Sequence, residues 1–260
     1  MKIENPQKKI FKIFISGWAT DYKIFDIIYK KLIKKKHDFF FSEKIIINEE
    51  FFNEICNKIQ NKKKSEKNIE IEIISWSMGC FIVIDILKKI ESENLQIFKN
   101  IVQNLKLNLW SICEFYDKKD IEQIKKFILK NKNLYLEKFY EKCFFCEKKN
   151  SVSKNFSLSN YKKFKLNYQN YYFEKFNIDT LFNGLDYLKK SVLDTDFILK
   201  LANYGAKIRI VNSKNDKIIN KFSNNILDLN KKNKNIKIEI LDNCGHMFFL
   251  ERKDIMSFLI

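Results

Sequence analysis

Short apolar runs alternate with amphipathic segments along the first part of the chain. Lys9 to Ser16 is predicted to be an apolar strand that ends at Gly17, and Tyr22 to Lys36 carries apolar residues at helical spacing. A second, short strand is predicted at Ile45 to Ile47, with a helix following from about Glu49 to Lys62. The chain therefore opens with strands and helices in alternation.

The alternation continues beyond a charged loop from Asn61 to Lys67. Asn68 to Ile74 is predicted to be a strand, a helix follows from about Cys80 to Ser92, and Ile101 to Leu109 is predicted to be the next strand. Strands that alternate with helices are typical of a mostly parallel α/β sheet flanked by helices.

The pattern changes between residues 111 and 192. Strand signals fade there, lysine-rich segments with apolar residues at helical spacing take over, and Asn155 to Phe176 has no clear period. Ile178 to Lys190 is again predicted to be helical. We expect residues 1–110 and 193–260 to form an α/β core into which residues 111–192 are inserted as a helical cap.

Strand signals return in the last part of the chain. Lys207 to Val211 and Ile236 to Leu241 are predicted strands, with a helix from about Phe222 to Asn230 between them. A last helix is predicted after His246. These elements complete the predicted sheet.

The segment Ser75-Trp76-Ser77-Met78-Gly79 joins a predicted strand to a predicted helix. A nucleophile elbow needs small residues two positions before and after its nucleophile, because strand and helix pack closely there. Ser75 and Gly79 meet this need. The pattern predicts Ser77 as a nucleophile and the Met78 N–H as an oxyanion donor. The alternative is an ordinary turn that contains a serine by chance.

Only two histidines could activate a serine, and they lie in different settings. His37 stands in a lysine cluster, whereas His246 follows a predicted strand on a loop before the last helix. A serine needs a neighbouring base, which favours His246. Asp216, in the loop after the preceding strand, is the favoured carboxylate, and Asp242 is its rival. The order Ser77, Asp216, His246 is that of the α/β-hydrolase fold.

The loop from Ser16 to Asp21 follows the first predicted strand. Gly17 permits a sharp bend there, and the Trp18 N–H is the expected second oxyanion donor. The three loops together predict acyl transfer to water through a covalent acyl-serine. No metal and no other cofactor is expected to take part.

The charge composition narrows the kinds of partner that this protein could bind. The formal net charge is +17, but 47 of the 49 basic residues are lysine, which indicates a codon bias toward AT-rich sequence. Arginine is the usual bidentate reader of bases and phosphates, so we expect no nucleic-acid partner. A solvated lysine surface is the simple interpretation, and attraction to an acidic partner is the alternative.

Nothing in the sequence predicts a signal peptide, a membrane span or a disulfide framework. Lysines interrupt the segment Met1 to Phe14, and four of the six cysteines are isolated, as suits reduced thiols in a cytoplasm. Cys143 and Cys146 form a lone CxxC pair without a second pair or nearby histidines. We expect a cytoplasmic protein without a metal site.

Several of these segments resemble one enzyme family. Gly17-Trp18, Ser75-Trp76-Ser77-Met78-Gly79 and Ser213-Lys214-Asn215-Asp216-Lys217-Ile218-Ile219 are similar to motifs of the pimeloyl-[acyl-carrier protein] methyl ester carboxylesterases of biotin synthesis, and the segment 183–189 resembles a cap exit of that family. Ala19, Ser75 and a diverged cap depart from the family pattern.

The resemblance implies a serine carboxylesterase with an α/β-hydrolase fold. It implies Ser77 as nucleophile, His246 as base and then acid, Asp216 as the orienting group, and Trp18 and Met78 as backbone oxyanion donors. Trp18 and Trp76 would also line an apolar slot for the acyl chain.

The family's basic cap binds acidic acyl carrier protein. The expected docking residues here are cap lysines: Lys118, Lys119, Lys125, Lys126 and Lys130, with Lys132 and Lys138 also in the cap. A monomer that binds carrier protein, but neither nucleic acid nor membrane, is expected. Two alternatives stay open: an esterase or thioesterase for another acyl substrate, and a non-enzymatic basic binding protein on the same scaffold.

Overall fold

A computed structural model of the chain describes residues 9–25, 38–41, 47–65, 69–144, 151–219 and 223–251. Its six strands pair in parallel, in the order β2-β1-β3-β4-β5-β6. The strand bounds are β1 Ile10–Ile15, β2 Asp38–Phe41, β3 Glu70–Trp76, β4 Leu105–Trp110, β5 Lys207–Ser213 and β6 Ile236–Leu241.

Helices connect and cover these strands. Residues Tyr22–Phe25 form a 3₁₀ turn, and a π turn spans Lys165–Gln169. The α-helices are α1 Glu49–Ser65, α2 Met78–Glu93, α3 Leu95–Val102, α4 Lys118–Lys130, α5 Lys132–Phe144, α6 Ser151–Phe164, α7 Asn170–Lys175, α8 Ile178–Lys190, α9 Thr195–Asn203, α10 Asn224–Leu227, α11 Leu229–Lys232 and α12 Phe248–Glu251.

Most residues of the central strands are apolar because helices cover both sides of a parallel sheet. Ile71, Ile73 and Ile74 of β3 are fully buried, as are Leu107 and Leu109 of β4. All six strands run the same way, so their carboxyl ends share one edge, and the loops that leave this edge lie side by side.

Helices α4 to α8 stand between β4 and β5 in the chain, where the cap is predicted. The segments that enter and leave this region pair at a neck: Phe115 and Val192 form an antiparallel bridge, and the Leu193 N–H donates to the Glu114 carbonyl at 2.7 Å. The exact division into core and cap stays a prediction.

Two predicted strands differ from the structure. The expected strand Ile101 to Leu109 begins only at Leu105, because residues 95–102 form α3, whose first turn is capped by the Asn94 side chain accepting from the Ile97 N–H at 2.9 Å. The second strand is Asp38–Phe41; Ile47 lies outside any strand, and residues 45 and 46 lie outside the described residues.

Three predicted helices or loops also change. Helix α1 continues to Ser65, into the segment expected to be a charged loop. The expected helix after Tyr22 is described only over its first four residues, which form the 3₁₀ turn. The helix predicted from about Phe222 is two short helices, α10 and α11, and residue 222 lies outside the described residues.

No helix within the described ranges is long and apolar enough to cross a membrane.

The junction between β3 and α2 leaves no room for a side chain at Gly79. A Cβ there would lie 2.5 Å from the Ile15 carbonyl oxygen and 2.7 Å from that of Ser16. Both are backbone atoms at the end of β1, so relief would require moving a central strand. This contact fixes how closely the first turn of α2 approaches the loop after β1.

We expect Gly79→Ala to lower the free energy of unfolding by about 3 kcal/mol, at the upper end of ordinary overpacking, because a backbone oxygen cannot yield as a side chain can. Urea unfolding followed by circular dichroism measures the change. Ser92→Ala is the matched control: it lies at the exposed end of the same helix and should stay within about 0.5 kcal/mol of the parent. Equal stability of the two variants would contradict the prediction.

Candidate functional site

Ser77 occupies a sharp turn between β3 and α2. Its φ of 54° and ψ of −121° lie in a region that side-chain-bearing residues rarely adopt. The turn is held by the Ser77 N–H, which donates to the Trp110 carbonyl at 2.8 Å, and by Gly17, where a Cβ would lie 3.0 Å from that of Ser77. The predicted elbow is thus present in its geometry, while the catalytic role of Ser77 stays a prediction.

The loop after β6 is fixed around His246 by buried hydrogen bonds. The His246 carbonyl accepts from Ser111 Oγ at 2.6 Å and from Trp76 Nε1 at 3.0 Å. The Gly245 N–H donates to the buried Glu251 carboxylate at 2.6 Å. Because backbone groups on both sides of the Cα are held, the imidazole has a defined direction.

Asp216 lies against this imidazole. Its Oδ2 is 2.6 Å from His246 Nδ1, and its Oδ1 accepts from the N–H groups of Ile218 and Ile219 at 2.8 and 3.0 Å. Three hydrogen bonds therefore orient the carboxylate. The rival Asp242 is exposed. The structure brings Asp216 to the histidine, as the loop order predicts.

The second ring nitrogen of His246, Nε2, lacks a contact of this kind within the described part of the chain. His246 is fully buried, and its Nε2 has no hydrogen-bond partner among the described residues. Ser77 Oγ instead lies 3.3 Å from the Tyr116 hydroxyl. Tyr116 comes from the loop after β4 and was not predicted. The only signal in the sequence is a hydroxyl residue shortly after a strand that neighbours the elbow strand.

Burial disfavours ionisation of the other acidic groups near Ser77. Burial raises the pKa of the Cys113 thiol, which lies beside the Tyr116 hydroxyl, and that of the Cys80 thiol, each to about 12. Burial also raises the pKa of Tyr116 well above its ordinary value. These groups stay protonated at neutral pH, so neither thiol rivals Ser77 as a nucleophile, and Tyr116 keeps its proton to donate.

The loop after β1 carries the predicted oxyanion donor Trp18. Thr20 Oγ1 donates to the Gly17 carbonyl at 3.0 Å, and the Tyr140 hydroxyl of α5 donates to the Ala19 carbonyl at 2.6 Å. Met78 is the first residue of α2, where backbone N–H groups lack intrahelical acceptors. Within the described residues, no acceptor takes the Trp18 or the Met78 N–H.

A buried carboxylate ties this same loop to the cap. Asp21 Oδ2 accepts from the Tyr171 hydroxyl at 2.6 Å and forms an ion pair with Lys175, while its Oδ1 accepts from the Lys23 N–H at 3.0 Å. Tyr171 and Lys175 belong to α7. Sequence reasoning missed this cluster, because its members lie about 150 positions apart.

The two predicted slot residues have different surroundings. Trp18 borders a cavity of about 40 Å³ together with Met78 and Ile82, and its Nε1 donates to the Leu181 carbonyl at 2.9 Å. Trp76 is fully buried and does not border this cavity. Its indole instead supports the histidine loop, with its ring centroid 5.2 Å from that of His246, and its role in a substrate slot stays a prediction.

The predicted docking lysines are not equivalent. Lys125 pairs with Asp186 of α8 at 2.5 Å, which occupies its charge within the cap. Lys118, Lys119, Lys126 and Lys130 of α4 are exposed. These four form the accessible part of the predicted set.

The predicted CxxC pair is only partly described. Cys143 is buried, and its carbonyl accepts from the Met247 N–H at 3.1 Å, next to the histidine. Cys146 lies outside the described residues. Within those residues, no three His, Cys, Asp or Glu side chains gather as a metal site would require.

Comparisons with known proteins identify the fold. The sequence matches no protein-family model and no curated protein sequence. Solved structures do match: a thermophilic esterase from Thermogutta terrifontis has a TM-score of 0.69 at 10% identity, covering 97% of this chain and 88% of its own. An α/β hydrolase from a Medee basin deep-sea metagenome library has a TM-score of 0.65 at 12% identity, covering 98% and 89%.

MenH from S. aureus is also similar, with a TM-score of 0.60 at 12% identity, covering 98% of this chain and 93% of that one. The chain thus has the α/β-hydrolase fold, and the predicted fold class is confirmed. Identities this low establish the fold alone, so the chemistry must be argued from the site itself.

The two-histidine composition allows a direct test of the Asp216 contact by ¹⁵N NMR of the labelled imidazoles. We expect neutral His246 to carry its proton on Nδ1, because Asp216 accepts there. Asp216→Ala should abolish this tautomer preference, whereas Asp242→Ala should leave both ring nitrogen shifts of His246 unchanged. His37 serves as an internal reference. The assignment of Asp216 is wrong if the Asp242 variant alone alters the spectrum.

Proposed function

We propose that this protein is a serine ester hydrolase in which Ser77, His246 and Asp216 form the catalytic triad. The observation that carries the proposal is the 2.6 Å contact between Asp216 and the buried His246, beside a serine held at a positive φ. The similar structures include proteins described as esterases, which agrees with this chemistry.

The proposed reaction has two halves, acylation and deacylation, and the same groups act in both. Ser77 Oγ attacks the ester carbonyl while His246 Nε2 takes its proton, and Asp216 stabilises the resulting imidazolium. The N–H groups of Trp18 and Met78 donate to the tetrahedral oxyanion. The intermediate collapses to an acyl-serine as His246 protonates the departing alcohol. Water, deprotonated by His246, then attacks the acyl-serine, and His246 returns that proton to Ser77 Oγ as the acid leaves.

We further propose that the substrate is the methyl ester of pimeloyl-[acyl-carrier protein], as in biotin synthesis. The motifs around Trp18, Ser77 and Asp216 support this choice, since they resemble those of the methyl ester carboxylesterases. Another acyl ester, or a thioester, would use the same triad, so substrate comparison distinguishes these possibilities.

We expect Ser77→Ala to abolish hydrolysis of methyl esters and labelling by a fluorophosphonate probe. Asp216→Asn should reduce kcat by about 10⁴-fold, because the amide favours the wrong histidine tautomer. Methanol release measures the first effect, and labelling followed by mass spectrometry locates the modified residue. Folded parent protein that neither reacts with the probe nor hydrolyses methyl esters or thioesters would favour a non-enzymatic binding protein.

The exposed face of α4 and the start of α5 suits an acidic, partly apolar partner. Lys126 and Lys130 stand there beside three exposed apolar side chains, those of Phe127, Leu129 and Leu134, which are 47–63% accessible. Apolar groups ringed by lysines would complement an acidic helix with apolar residues, as the proposed acyl carrier protein would supply. Charge and apolarity together thus support the proposed partner.

Reversing two charges on this face tests the docking proposal. We expect Lys126→Glu with Lys130→Glu to lower kcat/KM for the carrier-bound methyl ester by about tenfold at low salt, through lost steering. Hydrolysis of a free methyl ester should not change. Lys232→Glu with Lys237→Glu, two exposed lysines outside the cap, is the control and should affect neither substrate. Equal losses in both double variants would refute a local docking face.

A further inference from the structure

A groove of about 420 Å³ opens at the neck of the predicted cap. Five of its eight lining residues are apolar or aromatic: Phe81 and Ile84 of α2, Tyr187 of α8, and Val192 and Leu193 of the returning segment. The other three, Asp85, Lys190 and Ser191, are polar. Cavities of about 300–1,000 Å³ with mainly apolar walls are the size that small organic ligands occupy.

The walls of this groove are held in place. The Tyr187 hydroxyl donates to Asp85 Oδ2 at 2.6 Å, which ties α8 to α2. Val192 is bridged to Phe115, as described above for the neck. The groove is therefore a preformed feature of the fold, and binding in it would not require its walls to be ordered first.

Tyr116 contacts both Ser77 and one residue that lines this groove. Its hydroxyl meets Ser77 Oγ at 3.3 Å, while its ring centroid is 6.1 Å from that of Phe81, a groove wall. The phenol thus contacts the proposed nucleophile and a wall of the groove. A chain that passes from a carbonyl at Ser77 to the groove along this side would displace Tyr116.

A second space beside α2 offers much less room. The cavity of about 40 Å³ at Trp18, Met78 and Ile82 holds only a few water-sized groups, since one such group needs about 10–15 Å³. An ester held at Ser77 has two unequal arms. The small cavity fits a methyl group, and only the groove among these two spaces fits a chain of several methylenes.

We propose that the groove binds the acyl arm of the substrate and that Tyr116 is a specificity-determining residue that closes it until a long acyl chain displaces the phenol. This proposal rests on the ester hydrolysis proposed above. It adds the substrate class: small-alcohol esters of medium or long acyl chains.

Chain-length preference tests the proposal. The measured quantity is the ratio of kcat/KM for methyl octanoate to that for methyl acetate. Val192→Trp, at an exposed position on the groove, should lower this ratio at least tenfold by filling the groove. Leu95→Trp places the same indole at an exposed site on α3 and should leave the ratio unchanged. An unchanged ratio in Val192→Trp overturns the proposal.

Tyr116→Phe separates the hydrogen bond from the ring. Losing the bond to Ser77 should raise the same ratio about fivefold, the worth of one ordinary hydrogen bond, because the closed position is no longer favoured. A purely structural role for Tyr116 would lower activity on both esters alike and leave the ratio unchanged, which would contradict a specificity role.

A binding measurement tests the groove independently of catalysis. Isothermal titration with 3-decanone, in which a methylene replaces the ester oxygen of methyl octanoate, should give a Kd at least tenfold weaker for Val192→Trp than for the parent and Leu95→Trp. If the Kd values differ in this way but the protein hydrolyses no ester, the proposed function alone is refuted. If the protein hydrolyses esters but the three Kd values are equal, the proposal that the groove binds the acyl arm is refuted alone.

Discussion

The arrangement of the whole site depends on the close approach of α2 to the end of β1. Gly79 has no side chain, so the first turn of α2 can lie against the carbonyls of Ile15 and Ser16. This contact brings the turn at Ser77 and the loop of Trp18 together at one edge of the sheet. A larger residue would separate two of the loops that must converge on one carbonyl, whatever the chemistry of the remaining residues.

Three helices of the predicted cap, α5, α7 and α8, hold the loop after β1. They bind it at three points: Leu181 accepts from Trp18, Tyr140 donates to Ala19, and α7 binds Asp21. The direction of the backbone N–H of Trp18 is therefore set by helices that come much later in the chain. Any displacement of the cap that admits substrate must either preserve these contacts or disturb the proposed oxyanion site. A path at the neck of the cap preserves them.

Sequence periodicity and turn chemistry predicted the strands around the site, the elbow and the loops of Asp216 and His246. These features depend on residues that are close in the chain, such as the small residues flanking Ser77. The first helix after α2 was missed because Leu95–Val102 is a short apolar run, which suits a strand or a helix equally until the Asn94 cap is recognised. The contact of Tyr116 with Ser77 and the Asp21 cluster were missed because only tertiary packing brings their residues together.

The resting state of the site contains a polar atom that the fold leaves unsatisfied. His246 Nε2 is buried without a partner in the described residues, while Ser77 shares its hydrogen bond with Tyr116. Leaving such an atom unpaired costs about 1–3 kcal/mol, and buried polar groups without partners are uncommon outside sites of strain or function. The fold tolerates this because Asp216 and the bonds to the His246 carbonyl already fix the ring. In the proposed reaction, the serine hydroxyl turns from Tyr116 to donate to Nε2 for short-chain and long-chain esters alike, which gives the buried nitrogen its missing partner and joins the nucleophile to its base.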